Sequence, residues 1–229
     1  MPRYASKEEL EFLKTYDPDE FPHPSLSVDV TLLTARGDTL EVFLIRRDEH
    51  PFKNDWSLPG GFVRLDESLE DAATRLLEGK TGLRDVFLEQ LYTFGRVNRD
   101  PRTRVITVAY YALVPLEKLT RLEISQHRAL IPVQETPNLE LAFDHAEIIA
   151  RTLERLRGKL DYAPIGYELL PERFTLRELQ TLHETILGKT LNKDAFRRKM
   201  IARGELEATG QLETGQGFRP AEFYTFRRS

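Results

Sequence analysis

"GFVRLDESLEDAATRLLEGKTGL", residues 61–83, decides how the rest of the chain is read. A glycine-led loop runs into apolar residues at helical spacing, and a Gly-Leu pair closes the stretch. The spacing predicts a helix over residues 67–79 with Leu69, Ala72, Ala73 and Leu77 turned inward. Glu67, Glu70 and Asp71 gather near its start, where the positive end of the helix dipole favours acids. Leu76, Gly79 and Lys80 follow at i, i+3 and i+4 and so share one face. That face carries an isobutyl group, a hydrogen and an ammonium. Glu78 is turned away from position 76 by about 200° at 3.6 residues per turn. Gly79 within the helix costs about 1 kcal/mol relative to alanine, which speaks against a helix held for catalysis.

Working outward, "LSVDVTLLTARGDTLEVFLIRR" (26–47) reads as two strands around a Gly37-Asp38 turn. "DVFLEQLYTFG" (85–95) and "RVITVAYYALV" (104–114) read as buried strands joined by the charged turn "RVNRDPRT". "HAEIIARTLERLR" (145–157) is an amphipathic helix with its basic residues late. Interleaved strands and helices in this order fit an α/β/α sandwich, an α/β fold class. Ahead of it, residues 7–15 form a short helix that Ser6 and Glu9 start as a capping box, and the proline-bearing "DPDEFPHPS" breaks it.

The chain has 229 residues, 40% hydrophobic and 31% charged, enough for one large domain or a medium domain plus a small one. No run approaches the roughly 18 apolar residues of a membrane span, and the charged N-terminus lacks a secretory apolar core. With no cysteine there is no disulfide framework or thiolate chemistry. A cytoplasmic protein with no membrane partner is expected. The net charge of −4 argues against a general nucleic-acid binder, but it is unevenly spread. Residues 174–229 carry 10 Lys/Arg against 7 Asp/Glu, whereas residues 1–173 carry 23 against 30. A basic module appended to an acidic one gives this pattern, as does a solvated charged face.

The pattern changes towards the C-terminus. "GKLDYAPIGYELLPE" (158–172) is a linker that Tyr162, Ile165, Tyr167 and Leu169 make too apolar to be wholly free. It divides residues 1–157 from residues 173–229. In the second part, Thr175 and Glu178 form a capping box, apolar residues recur at Leu176, Leu179, Leu182 and Ile186, and Gly188 ends the helix. Asn192 caps a second helix that ends at Gly204, with Phe196 and Met200 facing a core and Arg197 and Arg198 on the other side. "LEATGQLETGQGFRPAEFYTF" supplies two short strands around a glycine-bearing loop. Helix, turn, helix and β-hairpin make a winged helix-turn-helix.

The opening stretch resembles a Nudix box, G-x5-E-x7-R-E-U-x-E-E-x-G-U with U aliphatic. Gly61, Glu67, Arg75, Leu77, Gly82 and Leu83 match; Leu76, Gly79 and Lys80 stand where the family has glutamates. The resemblance implies the Nudix sandwich. In the family those carboxylates share divalent cations, usually Mg²⁺, that polarise a pyrophosphate and activate water. Their replacement implies neither metal nor catalytic residues here, no cofactor, and a pocket that binds without hydrolysing. For that pocket the candidates are Arg47, Arg102, His145 and Trp56. Guanidinium groups suit bidentate phosphate contacts, and the tryptophan reads as core ahead of stacking platform. Arg99 and Arg104 read as surface charges, and Asp144 as a helix cap.

A degenerate Nudix domain followed by a winged helix resembles the Nudix-related transcriptional regulators, the NrtR family and its sugar-responsive relatives. "EQLYTFGRVNRDPRTRVITVAYYALV", "FDHAEII", "APIGYELLPERFTLRELQTLHETILGKTLNKDAFRRK" and "GFRPAEFYTF" carry it. It implies a homodimeric repressor on a palindromic double-stranded operator, with ADP-ribose as effector and NAD metabolism as target. A second branch implies a pentose such as arabinose and sugar utilisation. For DNA, Lys193, Arg197 and Arg198 lie at the start of the recognition helix, and Gln216 and Arg219 on the wing. The rival readings are a Nudix hydrolase of ADP-ribose-like substrates and a winged helix that binds protein.

Overall fold

The computed structural model describes residues 6–122, 124–160, 166–213 and 220–227. Its centre is β1 (Ser25–Arg36), which doubles back at Gly37 into β2 (Thr39–Arg46) as an antiparallel hairpin. β3 (Trp56–Ser57) pairs with β2, and β4 (Gly60–Phe62) pairs with β1. β5 (Phe87–Phe94) and β6 (Val105–Leu113) are antiparallel, and β6 lies parallel to β1 from Ser25↔Val105 to Leu33↔Leu113. β7 (Arg128–Pro132) adds to β2. The sheet order is β3-β2-β1-β6-β5.

Both faces of this sheet are covered, and side chains alternate between them. Val28, Val30, Leu32, Val108, Tyr110 and Ala112 pack on α2 (Leu69–Thr81). Leu33, Tyr111 and Leu113 pack on the opposite side with Ile148, Ile149 and Leu156 of α3 (His145–Lys159). The expected sandwich is thus formed, with α2 burying Leu76 as well as Ala72, Ala73 and Leu77. One expectation is corrected. β5 is an edge strand of the sheet among the described residues, with only Leu91 and Phe94 buried and Tyr92 half exposed. The capping box of α1 (Lys7–Thr15) is formed by Ser6 and Glu9, but none of its residues is buried.

The C-terminal part makes a second sheet, β8 (Phe174–Thr175), β10 (Glu222–Phe226) and β9 (Leu206–Leu212), in that order. Thr175 ends β8 and caps α4 (Leu176–Leu187), its hydroxyl accepting from the Glu178 N–H while Glu178 reaches back to the Thr175 N–H. Gly188, at φ 67°, closes α4 in the left-handed conformation. Asn192 caps α5 (Lys193–Ala202). Phe174, Leu179, Phe196, Met200 and Tyr224 form the core between these elements.

The two parts are packed together. Leu182 and Ile186 of α4 and Leu169 of the connecting segment belong to the same apolar cluster as α3. The last turns of α3 add polar ties: Arg157 Nε donates to the Ile186 carbonyl at 3.0 Å, and Arg203 donates to the Leu160 carbonyl at 3.2 Å. Tyr162 and Ile165 lie outside the described residues. Among the described residues no helix is long and apolar enough to cross a membrane.

Candidate ligand cleft and nucleic-acid interface

The loop into α2 is held by its own acids. Glu67 accepts from Arg75 Nε at 2.7 Å and Nη2 at 2.5 Å, and from the Arg64 N–H at 2.8 Å. The same guanidinium donates to the Phe62 carbonyl. The Arg75 hydrogen bonds hold the Glu67 carboxyl down at about 2. Asp71 closes the Ser68 cap, and Glu70 accepts from the Tyr110 hydroxyl at 3.1 Å. Each acid near the helix start therefore has a named partner in addition to the dipole.

The face after Arg75 is apolar at its base. Leu76 is buried against β4, so close that a Cβ at Gly61 would lie 2.8 Å from its Cδ2. Gly79 faces open space, and Lys80 reaches the wall of the neighbouring cleft. A hard divalent cation needs several oxygen ligands. A packed isobutyl group, a hydrogen and an ammonium offer none, and Glu67 is committed to Arg75. These residues do not fit a metal ion. Among the described residues, no three His, Asp or Glu side chains form a metal-holding group.

The cleft itself, about 270 Å³, opens beside this face between β1, β2, β4 and the start of α3. Its floor is a buried polar network. Arg99, with a side chain 3% exposed, grips Asp144 through two bonds of 2.9 and 2.6 Å and reaches Asp29 at 3.4 Å. Thr107 donates to Asp29 at 2.8 Å. Burial works to raise the Asp29 carboxyl, but His145, Arg99 and Thr107 outweigh it and hold it below the usual carboxylate range. The Leu58 N–H donates to His145 Nδ1 at 3.0 Å, which puts the ring proton of the neutral tautomer on Nε2, 3.5 Å from Asp29. Gly60 is required beside it, since a Cβ there would sit 2.2 Å from Asp29 Oδ1 and 2.7 Å from the Val28 carbonyl.

The walls are guanidinium and aromatic. Arg47 lies over the Phe143 ring at 4.9 Å, and Arg102 faces the Phe62 and Phe143 rings at 5.6 and 5.9 Å. Asp100 takes two bonds from the Arg102 side chain and is held below its usual range mainly by them. Phe143 stands at φ 56°, a left-handed conformation costly for a bulky residue, with its ring against Phe52. Strain of this kind persists where the surroundings over-determine it, and it concentrates at binding sites.

At the other end of the molecule, α5 buries Phe196 and Met200 and leaves Lys193, Arg197 and Arg198 exposed. Its approach is rigidly set: Glu184 of α4 accepts from the Leu191 N–H at 2.7 Å, and Gln180 donates to the Leu191 carbonyl at 3.0 Å. A basic helix face presented by a winged helix matches the way such domains enter the major groove.

Known proteins show the same two-part arrangement. The NUDIX domain family matches residues 23–152, and the NrtR DNA-binding winged helix domain matches residues 166–226. The ADPR responsive transcriptional repressor NtrR of Acinetobacter baylyi is 38% identical over 221 residues, covering 95% of this chain and 88% of that protein. The chain belongs to the NrtR family of Nudix-related transcriptional regulators. Its fold superimposes on Shewanella oneidensis NrtR complexed with a 27mer DNA with a TM-score of 0.81, at 38% identity, covering 88% of this chain and 93% of that one. The NUDIX domain of the Shewanella protein complexed with ADP ribose is 37% identical, with a TM-score of 0.57, over 65% of this chain and 98% of that one.

Within this NrtR-family fold, Arg47, Arg102 and His145 come together at the cleft. Trp56 does not line it: its place in β3 turns the ring onto the α3-side core, with Arg46 4.8 Å above it. Arg99 is corrected from surface charge to buried anchor, its partners Asp29 and Asp144 lying 70 and 45 residues away in sequence. Asp144 precedes α3 but spends its carboxylate on Arg99 and makes no side-chain cap. Arg104 does brace the turn surface, donating to the Gly95 and Arg96 carbonyls. Phe62 and Phe143 were not singled out in the sequence; "LAFDHAEI" gave no sign of the left-handed phenylalanine. Gln216 and Arg219 lie outside the described residues.

Proposed function

We propose that this NrtR-family regulator is a repressor whose Nudix part, residues 1–157, senses ADP-ribose without hydrolysing it, and whose residues 173–229 bind a palindromic operator as a homodimer, controlling NAD metabolism. The observation that carries the reading is the cleft: guanidinium and aromatic walls beside a box face with no free carboxylate. Guanidinium groups complement a diphosphate, and aromatic rings offer a base or ribose an apolar surface. A neutral pentose would leave that cationic wall unanswered. The family membership and the two Shewanella structures, one with DNA and one with ADP ribose, support the same reading.

For release, ligand and operator must favour different conformations, because equal affinity for both shifts nothing. Lys193, Arg197 and Arg198 are the proposed DNA contacts, and Arg47, Arg102 and His145 the proposed ligand contacts. The test is fluorescence anisotropy of the full chain on the 27mer DNA of the Shewanella relative, titrated with ADP-ribose or arabinose. Binding that ADP-ribose reverses and arabinose does not is the expected result. Release by arabinose alone, or AMP production from ADP-ribose with Mg²⁺, overturns the reading.

A further inference from the structure

We infer that Lys80 supplies the positive charge that a diphosphate would otherwise need from a metal ion, so that the cleft binds its nucleotide without a divalent cation. The inference rests on the ADP-ribose reading and concerns how the charge of that ligand is met. A diphosphate entering a cleft of this size loses water around its negative oxygens and needs cations in exchange.

The cations at the cleft are not equally available. Arg99 is consumed by Asp29 and Asp144. Arg102 is held by both oxygens of Asp100, and Arg46 lies over the Trp56 ring. Arg47 spends Nε on the Pro51 carbonyl and its face on Phe143. Lys80 lines the cleft, is exposed, and has no hydrogen bond or ion pair among the described residues. Its position in the last turn of α2 favours a cation through the helix dipole, but a dipole partner has no need to reach the cleft wall.

The neighbouring positions exclude the alternative. Leu76 occupies the ground beside Gly61, Gly79 contributes no side chain, and Glu67 is locked to Arg75. The helix face that reaches the cleft thus ends in an ammonium on a flexible stem, which can follow a phosphate oxygen as a point charge.

Isothermal titration calorimetry of the full chain tests this with ADP-ribose and adenosine, each in EDTA and in millimolar Mg²⁺. Wild type should bind ADP-ribose with the same Kd in both buffers. Lys80→Ala should weaken ADP-ribose about tenfold, which is about 1.4 kcal/mol, and leave adenosine unchanged. Lys80→Arg should restore most of the loss. Wild-type binding that needs Mg²⁺ overturns the inference but leaves the ADP-ribose reading standing, as does a Lys80→Ala protein of unchanged affinity. Equal weakening of adenosine and ADP-ribose shows a structural role and also overturns it. A wild type that binds no ADP-ribose in either buffer removes the reading itself.

Discussion

Glu67 keeps its place in the motif and has a structural task there. Its carboxylate is tied to Arg75 and to the Arg64 N–H, so it fastens the box loop to α2. The tie has a pH signature. The carboxyl titrates at about 2 in the folded chain against an ordinary 4.5. The unfolded chain therefore takes up the proton first, and the stabilisation present above pH 4.5 is lost as the pH falls towards 2. Glu67→Gln removes that contribution. Thermal unfolding of the two proteins should show wild type ahead at neutral pH, with the gap narrowing only across this acid range. A gap that stays constant down to the lower end would mean that Glu67 acts through shape rather than charge.

Among the elements, α5 carries the clearest test. Arg197 and Arg198 are exposed while Phe196 and Met200 hold the helix to its domain, so changing the arginines spares the core. Arg197→Ala with Arg198→Ala should weaken operator binding by about 1–3 kcal/mol for each arginine that reads a base. Melting temperature and ADP-ribose affinity without DNA should not move. Unchanged DNA affinity would instead favour a protein partner for the winged helix. The helices were legible in the sequence because their signals are local: capping boxes at Ser6 and Thr175, a cap at Asn192, a glycine stop at Gly188. The two- and three-residue strands β3 and β4 and the proline-ended β7 were not, since too few residues carry a period. The exposure of β5 and the burial of Arg99 were hidden for another reason. Each depends on partners supplied, or withheld, by distant parts of the chain. The loss of the box carboxylates was legible residue by residue, whereas the seating of Leu76 on Gly61 required the fold.

For the whole molecule the decisive feature is α3. Its first residue, His145, forms part of the cleft floor, and its 15 residues extend about 22 Å to the DNA-binding part. There Arg157 holds the end of α4, and Arg203, just beyond α5, holds the Leu160 carbonyl. α4 in turn shares its apolar residues between the two cores. On the proposed function these contacts couple the two ligands, and such a coupling runs in both directions with equal strength, because the free energy that links two equilibria belongs to neither. Whatever factor ADP-ribose takes from operator affinity, saturating operator should take from ADP-ribose affinity, and calorimetry with and without duplex measures it. An ADP-ribose affinity that the duplex leaves unchanged would mean that the two sites are not coupled. On that reading the operator becomes an effector of the metabolite pocket, and a repressor already seated on DNA answers only to a higher concentration of its signal than one free in solution.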